Sequence, residues 1–105
     1  MNRLSTHILD TSLGKPAQGV PVHLFQADRQ INSSVTDADG RCQNLLPAGS
    51  SLPPAVYRIV FDITAYAPNC LYPEIAISFK VEAGATHYHI PVLLSPFGYT
   101  TYRGS

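Results

Sequence analysis

The run "EIAISFKVE" sets the apolar residues Ile75, Ile77, Phe79 and Val81 at every second position, with Ala76, Ser78 and Lys80 between them. Successive side chains of an extended chain point to opposite faces, so this spacing describes a strand with one dry face and one wet face. The same period recurs in three more places. "VYRIVFDI" aligns Tyr57, Ile59, Phe61 and Ile63, "VPVHLFQA" aligns Val20, Val22 and Leu24, and "HYHIPVLL" aligns Tyr88, Ile90, Val92 and Leu94. Between the runs stand "LGKPAQG", "TDADGR", "LPAGSSLPP", "EAGAT" and "SPFG", all rich in turn formers. Nine prolines and seven glycines in 105 residues leave little room for a three-turn helix. The pattern predicts one all-β domain over residues 1–105, an antiparallel sandwich of seven or eight strands. "ITAYAPNCLYP" lacks the alternation and is expected to hold one or two helical turns, stopped by Pro68 and Pro73.

Charge narrows the function classes. Only 13% of residues are charged while 45% are hydrophobic, so apolar surface is expected to meet a partner, most simply another copy of the chain. Seven basic and seven acidic residues cancel, with no Lys/Arg cluster, which gives nucleic acid no electrostatic footprint. No apolar run approaches the roughly 20 residues of a membrane span. The start "MNRLSTHILD" has no apolar leader core; a cytoplasmic location is expected, or a periplasmic one if a leader has been removed. Cys42 and Cys70 lie far apart, outside any CxxC pattern, and are expected to be free thiols.

Histidines occupy strand positions where Lys, Glu or Thr would be ordinary. His7 shares a face with Ser5 and Leu9, and His87 shares one with His89. Imidazole exchanges protons near neutral pH, yet His23, beside Phe25 and without a polar partner, reads as an ordinary strand residue. His87 and His89 could ligate zinc, but a third ligand at a signature spacing is missing, so no metal or other cofactor is expected. Arg41 follows "TDADG", where Asp37, Asp39 and Gly40 are explained by a type I turn. Its guanidinium suits either a surface ion pair or a planar carbonyl-rich ligand. Tyr102 and Arg103, in the final "YRGS", have the same ambiguity. Periodicity alone does not bring these residues together.

Taken together, "LSTHILDTSLGKPAQGVPV", "TDADGRC", "YRIVFD", "YPEIAISF" and "HYHIPVLLSPFGYTTYRGS" resemble the transthyretin-related 5-hydroxyisourate hydrolases of urate breakdown, from Leu4 to Ser105. Transthyretin itself shares the fold and a "LLSP" stretch but lacks the strand histidines and the Tyr-Arg-Gly-Ser terminus. The resemblance implies a transthyretin-like sandwich of about eight strands with a short helix, assembled as a homotetramer, a dimer of dimers with a channel between them. It implies that His7, Arg41 and His89 handle substrate and water, that Tyr102 lines the channel, and that Ser105, through its hydroxyl or carboxylate, completes the site. His87 matches the first residue of a His-x-His pair. "AYAPNCLYP" departs from the family pattern at Ala67 and Leu71, away from these positions.

The implied reaction is hydrolysis of a small-molecule substrate, 5-hydroxyisourate, at a cyclic amide bond. Water would be deprotonated by His7 or His89 and the oxyanion held by Arg41, with His7, Arg41 and Tyr102 gripping the ring. No Ser-His-Asp set is visible, which favours direct attack by water. Three other readings remain open at this point: a carrier of a hydrophobic ligand in the tetramer channel, a sandwich interaction module, and a metal-dependent hydrolase using His87 and His89.

Overall fold

The computed structural model describes residues 2–105. The chain forms β1 (Arg3–Asp10), β2 (Lys15–Pro16), β3 (Pro21–Gln26), β4 (Arg29–Val35), β5 (Arg41–Cys42), β6 (Ala55–Asp62), β7 (Glu74–Val81), β8 (His87–Ser95) and β9 (Gly98–Thr101). One sheet runs β2-β1-β8-β9 with β5 added against β1, and the other runs β4-β3-β6-β7.

The alternating residues meet between the sheets. In the second sheet Leu24, Ile59 and Ile77 stand in one row, and Val22, Phe61 and Ile75 in the next. The opposing sheet supplies Leu4, Ile8, Tyr88, Ile90, Val92 and Leu94. Tyr57, Ile59, Phe61 and Ile63, aligned by the sequence, are all buried, each such side chain contributing about 1.5–3 kcal/mol. Thr6 and, at the end of β1, Asp10 are the polar residues of β1 on this face. Thr6 is fully buried, and its hydroxyl donates to the Ile90 carbonyl at 2.6 Å, which satisfies it in place of water.

Two expectations change. β1 and β8 pair in parallel, while the other strand pairs are antiparallel. These strands come from opposite ends of the chain, so no tight hairpin imposes an antiparallel direction on them. The expected short helix reduces to one turn among the described residues, with Ala67 N–H donating to Ile63 O at 2.9 Å and Cys70 N–H to Ala67 O at 3.0 Å. Pro68 has no N–H with which to continue it.

The turn before β5 is the one that matters for the site. Asp37 accepts from the Asp39 and Arg41 N–H groups through Oδ1, and from the Gly40 N–H through its carbonyl. Gly40 has φ +72°, and a Cβ there would fall 2.5 Å from the Ile8 carbonyl oxygen. Only glycine lets this turn press against β1. The next residue, Arg41, is thereby set opposite His7.

Candidate active site

The outer face of the first sheet gathers the polar residues. Parallel pairing of β1 with β8 puts Arg3 beside His87, Ser5 beside His89 and His7 beside Pro91, while β5 sets Arg41 against His7. The C-terminal segment returns along β8. Its ladder would next need an N–H from Pro91, which has none, and it resumes at Gly104, whose N–H donates to the His89 carbonyl at 2.7 Å. A cleft of about 190 Å³ results, lined by Arg3, Ser5, Arg41, His87, His89 and Ser105 among others.

Within it Ser5 Oγ lies 2.8 Å from His89 Nδ1 and 3.1 Å from His87 Nε2. The two imidazole centroids are 6.3 Å apart. His89 is held below the ordinary imidazole pKa by burial first, then by the positive field of Arg41, His87 and His7. His7, half-buried, is lowered by burial and by Arg41; a backbone contact to Asp39 and the charges of Asp37 and Asp39 oppose this. Both rings are therefore biased toward the neutral form that accepts a proton. A guanidinium beside two neutral imidazoles can hold an oxyanion while one of them takes a proton from water.

Arg41, His89 and Ser105 share the cleft, and His7 adjoins it through its pairing with Arg41. Tyr102 does not line it: it is exposed and borders a separate groove with Ile77, Phe79 and Tyr88. His87 enters the cleft with an exposed ring. Among the described residues no three His, Cys, Asp or Glu side chains gather as metal ligands. Cys42 and Cys70 are both free.

Two contributors, Ser5 and Gly104, escape a reading of the sequence, and a third, Arg103, was visible there only as an ambiguous terminal cation. Ser5 was visible only as a face-mate of His7. Arg103 lies over the Tyr88 ring at 4.6 Å and donates to the His87 carbonyl at 3.3 Å, tying down the terminal segment. Gly104 packs against the His89 ring. A glycine in an extended segment signals close approach, but not what approaches.

A larger cavity, about 600 Å³, lies between the β1–β2 turn and the 66–70 loop. Its buried carboxylate, Asp10, is committed. Burial would raise its pKa, yet hydrogen bonds from the Ser12 and Tyr66 hydroxyls and the Leu13 and Ser12 N–H groups outweigh that and hold it down. Tyr66, half-buried, is pushed up to about 12 by that burial first and then by its hydrogen bond to Asp10 and the carboxylate's charge. These groups hold the loop and do no proton transfer near neutral pH, so the smaller cleft is the candidate site.

Residues 4–104 match the model of the HIUase/Transthyretin family. The chain belongs to this family. The "5-hydroxyisourate hydrolase" of Salmonella typhimurium is 43% identical to it over 112 residues, covering 99% of this chain and 82% of that one. The "Uric acid degradation bifunctional protein TTL" of Arabidopsis thaliana is 39% identical over 119 residues, and the match spans 97% of this chain but only 37% of the plant protein. Among solved structures, the Klebsiella pneumoniae 5-hydroxyisourate hydrolase superposes with a TM-score of 0.90 at 36% identity, covering all of both chains. Sea bream transthyretin, solved in complex with thyroxine, superposes at 0.86, also at 36% identity, covering 97% of this chain and 94% of that one. The relatives named for hydrolysis of 5-hydroxyisourate reach 43% identity over nearly the whole chain, while the fold itself is shared with transthyretin.

Proposed function

We propose that the chain hydrolyses 5-hydroxyisourate, opening its six-membered ring at a cyclic amide bond to give 2-oxo-4-hydroxy-4-carboxy-5-ureidoimidazoline. The observation that carries this is the shared cleft of half-buried His89, Arg41 and Ser105, with His7 paired to Arg41, in a chain whose relatives are named for this reaction. Water adds to the amide carbonyl as His89 or His7 takes its proton. Arg41 holds the negative charge on the tetrahedral carbon's oxygen. The C–N bond then breaks, the ring nitrogen receives the proton, and the carbonyl carbon leaves as a carboxylate. Ser105 adds a hydrogen bond, and Tyr102 positions the flat ring from the wall it occupies in the assembly.

The assembly we infer is a homotetramer, a dimer of dimers with the cleft facing a central channel. At about 190 Å³ the cleft falls below the roughly 300–1,000 Å³ of small-molecule pockets, so one chain offers one wall. β7 and β9 end their sheets with open edges, and Leu13, Val56, Phe97 and Tyr102 are exposed. We place the working protein in the cytoplasm, where two free thiols are stable.

The sea bream likeness keeps a carrier reading in play. A cleft with a guanidinium and two imidazoles suits a polar heterocycle better than an apolar ligand. Generating 5-hydroxyisourate from urate with urate oxidase, and following its ultraviolet decay, separates the two. Wild type should accelerate the decay, and Arg41→Ala should lose about 100-fold or more. Decay at the spontaneous rate with an assembled wild-type protein overturns the hydrolase reading.

A further inference from the structure

Ser5 joins the two imidazoles of the cleft through a single hydroxyl, at 2.8 Å from His89 Nδ1 and 3.1 Å from His87 Nε2. At 8% exposure it has little water to replace either partner. A hydroxyl carries one proton, so it donates to one ring and must accept from the other. Two neutral arrangements meet both contacts. In one, Ser5 donates to His87 and His89 donates from Nδ1, leaving the Nε2 lone pair of His89 free. In the other the directions reverse, and His89 carries its proton on Nε2, where nothing basic remains for a water in the cleft.

We propose that Ser5 is a positioning residue that holds His89 as the Nδ1–H tautomer, with His87 accepting the Ser5 proton at the far end of the chain. The proposal rests on reading His89 as the base for the cleft water. When His87 takes up a proton, its Nε2 becomes an obligatory donor. Ser5 then turns its own proton toward His89 Nδ1, and the proton of that nitrogen moves to Nε2 by exchange with solvent. The hydrogen-bonding state of the exposed His87 is thereby coupled, through Ser5, to the tautomer of His89.

The charged neighbours agree with a neutral His89. Arg3 and His7 face it from β1, Arg41 from β5, His87 from β8, and Arg103 anchors the terminal segment on the His87 carbonyl. The acidic side chains in this region, Asp37 and Asp39, act on His7, and the Ser105 carboxylate is the negative group that shares the cleft with the two imidazoles. A surrounding set of basic groups disfavours a second positive charge on the imidazoles.

The test is nitrogen-15 NMR of histidine-labelled wild type, Ser5→Ala and Ser5→Thr, with His89→Gln to assign the signal, read beside kcat/KM across pH. Above pH 7, wild-type His89 should be protonated on Nδ1. Ser5→Ala should move the proton to Nε2 in most molecules and lower kcat/KM about 10–100-fold, and Ser5→Thr should restore both. An Nε2–H tautomer in wild type, or one that Ser5→Ala leaves unchanged, overturns the proposal even if activity falls. A tautomer that shifts as expected in a protein that never accelerates 5-hydroxyisourate decay upholds the positioning role and fails the hydrolase reading instead.

Discussion

Gly104 lies against the imidazole of His89 so closely that a Cβ at position 104 would run into the ring's Cδ2 and crowd Cγ. The Gly104 N–H also holds the His89 carbonyl, at 2.7 Å, so the segment cannot swing away without losing a strand bond. The terminal residues therefore set the tilt of the ring we propose as the base from its open side, while Ser5 sets it from the buried side.

Gly104→Ala should cost activity before stability. The added methyl group must displace the His89 ring or peel off the terminal segment, and a misplaced base loses about 100-fold. Thermal unfolding should change little, because Gly104 lies outside the core cluster. Steady-state kinetics beside calorimetry decide it; full turnover would mean that the ring's position is not critical.

Burial first and Arg41 second hold His7 and His89 below the ordinary imidazole value of 6.5. Their base forms survive to lower pH than a free imidazole's, so kcat/KM should fall on the acid side with a midpoint below 6.5. Arg41→Gln removes a positive neighbour, stabilises both imidazolium forms and raises their pKa values. The acid limb should then move to higher pH while the plateau drops. A limb that stays in place would remove Arg41 as the cause.

The Tyr66 hydroxyl donates to Asp10 Oδ2 at 2.8 Å, beneath the loop that replaces the expected helix. Tyr66→Phe should destabilise the fold by about 1.5–3 kcal/mol near neutral pH, the range for a hydrogen bond to a charged group. Asp10 has its folded pKa lowered from 3.8, so its contribution is complete above pH 3.8 and is lost as pH falls through the lower folded value. Urea unfolding at pH 7 and near pH 3 should show the gap between wild type and variant narrowing in acid. An equal gap at both would mean that packing, not the carboxylate, is what the hydroxyl serves.

The residues that face the core were legible in the sequence, as Tyr57, Ile59, Phe61 and Ile63 illustrate. The turn that aims Arg41 was legible too, since Asp37 and Gly40 each have a local reason to stand where they do. The candidate site was legible only as scattered residues until the family likeness joined them. Tyr102 belongs to that likeness and lies outside the cleft of one chain. Ser5 and Gly104 carried no signal strong enough to single them out.

The difference is between local and non-local structure. A two-residue period is a property of one strand, so the sequence by itself determined which side chains turn inward, where the chain breaks and that the domain is all-β. Which strands lie side by side, and in what register, depends on partners far away in the chain. The parallel match of β1 with β8 brings Ser5 to His89 across 84 residues, and a slip of one residue would turn one of them away. Only the tertiary structure decided that, because the ladder's hydrogen bonds and the packing of the inner faces select the register together.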